Sequence, residues 1–216
     1  MADPFIMNHQ YNFIKKQADI VQNAFKTVND PKVLEAVRYS AQCKVLDMFV
    51  DRTDEQKQLA EQMYSCKTTE EFQQYLHSLV PYIIDFPQVS QKQISKLFPK
   101  NKKLKLPDLS TIDYHALSYL GWLDISTNKL FMVYPLNGKV IGVEGRYTPA
   151  NRKGICFLCN GYGEVALFSA ISKTRVSHLP DYYKAVGNYI CMDSHGCNKN
   201  ITDVTSLERF VQEVVG

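Results

Sequence analysis

The chain has 216 residues, of which 45% are hydrophobic and 22% charged, as is typical of a folded protein with a substantial core. Its apolar runs are too short to cross a bilayer as helices, which argues against a membrane partner. Residues 1–80 carry 9 Lys and Arg against 11 Asp and Glu, a balance of −2, whereas residues 81–216 carry 16 against 11, a balance of +5. The basic second part suits an acidic protein partner or RNA.

Residues 1–83 have the pattern of an antiparallel helical bundle. Asp30 and Pro31 match the N-cap and first position of a helix, and residues 53–56 and 68–71 match capping boxes. Short connections between amphipathic helices favour antiparallel packing. The apolar residues of the first two helices recur with the 3.6-residue helical period: Ile14, Ala18, Val21, Phe25 and Val28, then Val33, Val37, Ala41, Val45 and Met48.

Prolines interrupt the helical pattern near residue 84, which predicts a boundary and a second, mixed α/β domain over residues 84–216. This domain opens with a short predicted helix over residues 90–98. The lysine-rich residues 100–105 follow, and they are interpreted as a solvated linker or a partner-binding patch.

Between residues 115 and 150 the pattern changes to that of β-strands. Asn137 and Gly138 predict a hairpin turn, because both residues tolerate positive φ. A final helix is expected to begin with a capping box formed by Thr205 and Glu208. The strands themselves are predicted over residues 117–123, 130–134 and 140–147.

Four cysteines of the second domain have a spacing that predicts one structural zinc ion. Cys156 and Cys159 form a C-x2-C pair, and Cys191 and Cys197 follow with five residues between them. Zinc prefers four ligands in a tetrahedron, so the two pairs make a complete set that leaves no position for a substrate. The predicted fold class is therefore α+β, a helical bundle followed by a domain with a treble-clef-like zinc finger over about residues 151–216.

Other interpretations of these residues stay open. His195 is a rival to Cys197 as the fourth ligand, and the first pair could be a redox C-x-x-C motif, although the βαβ pattern typical of such motifs is absent. Cys43 and Cys66 are interpreted as buried residues of the bundle. The sequence contains no phosphate-binding glycine loop and no catalytic motif, so the chain is interpreted as a binding protein without enzymatic activity or a small-molecule substrate.

Several segments resemble FusB-type fusidic acid resistance proteins, which bind elongation factor G. These matches span almost the whole chain and include the unusual C-x5-C spacing. They are HQYN from residue 9, KTVND from residue 26, SYLGW from residue 118, KGIC from residue 153, GNYIC from residue 187 and CNK from residue 197.

The resemblance implies a cytoplasmic protein that binds elongation factor G and promotes its release from the ribosome, so that translation resumes in the presence of fusidic acid or after stalling. It implies zinc ligation by the four cysteines and a partner-binding surface beside them. Tyr189 keeps an aromatic residue on that surface, whereas Ile155 stands where an aromatic residue is common and Val186 where a lysine is common. The alternative function is a zinc-finger protein that binds RNA directly through residues 100–105.

Overall fold

The computed structural model describes residues 3–49, 53–173 and 183–216, and the chain divides into two compact units, Met1–Ile84 and Asp85–Gly216. No helix among the described residues is long and apolar enough to cross a membrane.

Within its described residues the first unit contains four α-helices, as the sequence predicts. Asp30 accepts the N–H of Lys32 and starts the second helix, and the capping boxes at Thr53 and Thr68 start the third and fourth. Three residues join the first two helices, so these helices run antiparallel. The helices are α1 (Asn8–Thr27), α2 (Pro31–Leu46), α3 (Asp54–Glu61) and α4 (Thr69–Leu79).

The core of this unit contains most of the predicted apolar stripes. Ile14 and Val45 are fully buried, and Phe72 packs against Phe25 with ring centroids 6.5 Å apart. Two expectations are wrong. Val33 is 48% exposed because its side of α2 is uncovered, and Cys43 is only half-buried.

Backbone hydrogen bonds close the first unit on itself. Ile6 donates its N–H to the carbonyl of Tyr82 at 2.9 Å and accepts from the N–H of Ile84 at 2.8 Å. The segment that enters the unit therefore lies beside the segment that leaves it.

An antiparallel sheet, in which each strand pairs with the next along the chain, forms the centre of the second unit. Asn137 and Gly138 both have positive φ, which confirms the predicted hairpin turn. The third strand is about twice as long as predicted and continues past an irregularity at residues 149–153. The strands are β1 (Leu120–Asp124), β2 (Lys129–Leu136), β3 (Lys139–Ile155), β4 (Tyr162–Ile171) and β5 (Ala185–Cys191).

Separate apolar clusters cover the two faces of this sheet, and β2 contributes to both. Met132, with Leu130 and Tyr134 two positions to either side of it, faces the helix over residues 205–215. Phe131 and Val133 face the helix over residues 91–97. Trp122, the single tryptophan of the chain, stacks on Phe131 with ring centroids 5.3 Å apart. The helices of this unit are α5 (Gln91–Leu97), α6 (Ser194–Asn200) and α7 (Thr205–Val215).

The predicted capping box of α7 is wrong. Val204 is the N-cap residue, and the carboxylate of Asp203 accepts the N–H of Thr205 at 2.9 Å and its hydroxyl at 2.7 Å. Glu208 instead accepts the hydroxyl of Tyr134 at 2.8 Å, which ties the helix to β2. The box does not form because Thr205 is already the first helical residue, one position past the N-cap at which its hydroxyl would accept.

Phe168 is central to the cluster under α7, because it is fully buried and packs against Phe210 with ring centroids 5.4 Å apart. We predict that Phe168→Ala lowers the free energy of unfolding of the second unit by about 3–5 kcal/mol, through lost burial and a residual cavity. Urea unfolding of zinc-loaded protein, followed by Trp122 fluorescence, reports this unit alone. Ile171→Ala is the matched control, because Ile171 lies in the same strand and is 61% exposed. Equal losses in both variants would contradict the assignment of Phe168 to the core.

Candidate metal centre

The first two cysteines lie on a tight knuckle at the end of β3. Asn160 adopts a φ of +56° and donates its N–H to the carbonyl of Cys156 at 2.9 Å, and Cys156 donates its own N–H to the carbonyl of Gly161. The N–H of Gly161 points at the sulfur of Cys159, 3.4 Å away. The chain therefore turns sharply enough to present both sulfurs to one point.

The other two cysteines come from a strand end and a helix. Cys191 is the last residue of β5, and its N–H donates to the sulfur of Cys156 at 3.3 Å. Cys197 lies in α6, which Asp193 starts by accepting the N–H groups of His195 and Gly196. As the C-x5-C spacing requires, the connection between the two cysteines is partly non-helical.

All four sulfur atoms lie within 4.8 Å of one another. Cys156 and Cys197 are 3.8 Å apart, and Cys159 and Cys191 are 3.6 Å apart. A tetrahedral zinc ion with Zn–S bonds of about 2.3 Å sets its ligands about 3.8 Å from one another. The set therefore fits one zinc ion held by Cys156, Cys159, Cys191 and Cys197, and no further His, Cys, Asp or Glu side chain in the described part of the chain joins the cluster. His195 is exposed and is not part of this cluster.

The thiols perturb one another strongly. Hydrogen bonding from Cys159, and then from Cys191 and Cys197, holds the pKa of Cys156 far below its usual range. The same contacts, first of all that with Cys156, hold the pKa of Cys197 far above it. Four thiolates at these distances repel one another, so all four can ionise only around a cation. Four sulfur ligands close the coordination sphere, and such a zinc stabilises the fold without taking part in chemistry.

A buried tyrosine supports the cluster from the residue just before β1. Burial, and then the charge of Cys197, raises the pKa of Tyr119 well above its usual value. The phenol therefore stays protonated, buried beside the sulfur of Cys197. A Cβ atom at Gly121 would lie 2.6 Å from the Tyr119 ring, so glycine leaves the space that the ring occupies.

Asn198, the residue after the fourth ligand, ties α6 to the segment just before β1, and no spacing in the sequence reveals this role. Its Oδ1 atom accepts the N–H groups of Ser118 at 2.7 Å and Tyr119 at 3.0 Å. Its Nδ2 group donates to the carbonyls of Tyr119 at 2.9 Å and Ser194 at 3.0 Å. The side chain is only 1% exposed, so these contacts fix the position of the helix that carries Cys197.

Models of known protein families match both units of the chain. The family model of the elongation factor G-binding protein, N-terminal, matches residues 5–87, and that of the FBP C-terminal treble-clef zinc-finger matches residues 93–213.

The chain belongs to the elongation factor G-binding protein family.

A solved structure and the metal cluster agree with this membership. The structure of the fusidic acid resistance protein FusC is similar over 97% of each chain, with 29% identity and a TM-score of 0.81. No curated protein matches the sequence. The predicted α+β fold with a treble-clef finger and the prediction of one structural zinc ion are confirmed.

The three residues that the resemblance assigns to a partner surface differ in exposure. Ile155 is 67% exposed and Tyr189 is 42% exposed, whereas Val186 is only 7% exposed and belongs to the core under α7. The N–H of Phe157 donates to the carbonyl of Tyr189 at 2.8 Å, which holds the zinc knuckle against β5. The guanidinium of Arg152 lies 5.8 Å from the centre of the Tyr189 ring. In this family member, Val186 presents no side-chain surface to a partner.

We predict that Cys156→Ser or Cys197→Ser lowers the bound zinc from about one ion per chain to well below it, because three sulfurs leave the tetrahedron incomplete. Metal analysis of the purified protein measures this content. Cys43→Ser and His195→Ala are the controls and are expected to keep full zinc, because neither residue belongs to the cluster. Loss of zinc in His195→Ala would contradict the four-cysteine assignment.

We predict that Asn198→Ala lowers the free energy of unfolding of the second unit by about 3 kcal/mol, because it leaves buried backbone groups of Ser118, Tyr119 and Ser194 without partners. Denaturant unfolding followed by Trp122 fluorescence measures the loss. Asn200→Ala is the matched control in the same helix, since Asn200 makes one exposed hydrogen bond to the carbonyl of Gly196. A loss in Asn198→Ala no larger than that in the control would show that Asn198 does not anchor the helix.

Proposed function

We propose that this protein binds elongation factor G in the cytoplasm and promotes its release from the ribosome, which protects translation against fusidic acid or rescues it after stalling. The observation that carries the proposal is the family match over residues 5–87 and 93–213, together with the similarity to a fusidic acid resistance protein. In this proposal the protein acts by binding, and its zinc, closed by four sulfurs, has no open position for chemistry at the metal.

The energetic requirement of such a protein is modest. A binder shifts a partner between two states only through a difference in its affinity for them. To favour the released factor over the ribosome-bound factor by tenfold, a preference of about 1.4 kcal/mol is enough. A few well-placed contacts supply that much, and no chemical change of the drug or of the factor is needed.

The surface beside the zinc knuckle is suited to this binding. Tyr189 is partly exposed, its backbone is bonded to the knuckle, and Arg152 lies against its ring. The zinc fixes the knuckle before binding, so little conformational entropy remains to be lost when a partner docks. We propose Tyr189 and Ile155 as partner contacts and leave out the buried Val186.

The function is tested by capture of purified elongation factor G on the immobilised, zinc-loaded protein, followed by ribosome release assays with and without fusidic acid. Stoichiometric capture and faster release support the proposal, and release that is faster only with the drug assigns the role to resistance. Capture without any effect on release would leave a factor-binding protein and overturn the release step. Failure of capture by zinc-loaded protein would remove the partner.

We predict that Tyr189→Ala weakens the affinity for elongation factor G by about tenfold or more, because aromatic anchors are common hot spots of interfaces. The melting temperature should stay unchanged, since the ring is partly exposed. Titration calorimetry and thermal melting on the same preparations measure both quantities. Tyr39→Ala is the matched control, because Tyr39 is a 63% exposed tyrosine of the first unit. A loss of both affinity and stability would identify Tyr189 as a packing residue.

A further inference from the structure

An open groove in the second unit lies between the end of α5 and the adjoining parts of β3 and β4. It is lined by residues such as Leu97, Gly142 and Ile171, and its volume is about 1870 Å³. Small-molecule sites commonly measure about 300–1,000 Å³. The groove is therefore large enough for a segment of a macromolecule.

The charges around this groove are strongly unbalanced. Among the residues that the structure describes, its lining contains five basic residues but one acidic residue, Glu144, which pairs with Lys129 at 3.4 Å. The other four basic side chains are exposed, and none has an ion-pair partner among the residues that the structure describes. The groove thus presents four uncompensated positive charges: Lys96, Lys100, Arg146 and Lys173.

Apolar side chains lie between these charges. Leu97 and Val140 are half-buried, and Ile171 is 61% exposed. A nucleic-acid backbone would satisfy the cations but leave this apolar surface in contact with phosphates and sugars. A polypeptide segment with carboxylates beside apolar side chains would match both features at once.

The groove is continuous with the surface that carries Tyr189. Arg146 pairs with Ser169 across β3 and β4, and the next row on the same face of the sheet contains Leu167 and Tyr189. Rows on one face of a sheet are about 7 Å apart. A partner that contacts Tyr189 therefore reaches the groove without crossing to another face.

We propose that this groove binds an acidic segment of elongation factor G that also carries apolar side chains, as a second contact beyond the zinc knuckle. The proposal rests on the proposed function, since it takes the same partner. The basic rim of the groove attracts the segment and sets the position in which the factor binds. The apolar lining of the groove holds the segment in place.

The test compares Arg146→Glu/Lys173→Glu with the unmodified chain in titrations against purified elongation factor G at low and at physiological salt. The affinity should fall by about tenfold or more, mostly through slower association, and the remaining binding should depend less on salt. Arg146→Lys/Lys173→Arg should restore it, because the charge is kept. Lys15→Glu/Lys16→Glu, which makes the same change of net charge on two exposed lysines of α1, should bind normally.

Zinc content and Trp122 fluorescence establish that each variant is folded. If the unmodified chain does not bind the factor, the proposed function itself fails. If it binds and the Arg146→Glu/Lys173→Glu variant binds equally well, the groove proposal is overturned while the function stands. If that variant instead loses binding to single-stranded RNA, probed with poly(U), and keeps its affinity for the factor, the groove is an RNA site and the proposal is also overturned.

Discussion

Mutual repulsion of four thiolates is the constraint on which the second unit depends. Their sulfurs come from the knuckle that follows β3, the end of β5 and the middle of α6, and all lie within 4.8 Å of one another. Without a cation the pKa values of these thiols are forced apart, with that of Cys156 lowered and that of Cys197 raised. A zinc ion turns the repulsion into an attraction that joins three separate segments. The zinc consequently holds the knuckle, β5 and α6 in fixed relative positions. The exposed side chains on these segments are therefore held in place as well.

Separate polar contacts around the cluster position different segments of the second unit. The buried phenol of Tyr119 lies beside the sulfur of Cys197 on the core side, while Asn198 joins α6 to the segment just before β1. On the outer side, the Phe157 N–H bond to Tyr189 joins the knuckle to β5. The metal thus sets the distance between segments, and the amide and phenol groups set their orientation. A partner surface built on this arrangement needs little adjustment when it binds.

Sequence patterns predicted the parts of the fold whose causes are local. Capping at Asp30 and Thr68 depends on neighbouring residues alone, the turn at Asn137 depends on its own φ, and four thiols at suitable spacing specify a metal. The parts that depend on distant contacts were wrong or hidden. The spacing predicts Glu208 as part of a capping box, but its carboxylate accepts the hydroxyl of Tyr134, 74 residues away. Asn198 bonds to groups about 80 residues away, and Val186 is buried by the packing of α7, so neither role has a signature in the sequence.

The closure of the first unit has a consequence for protein engineering. Ile6 and Ile83 form a parallel bridge, so the chain enters and leaves this helical unit at one place. A module whose ends meet can be inserted into a host loop, or reopened elsewhere and rejoined, without stretching its core. The three-residue connection between α1 and α2 would provide new ends for such a circular permutant. Because Ile6 also bonds to Ile84, a truncation that removes the first six residues would open the last turn of the unit as well.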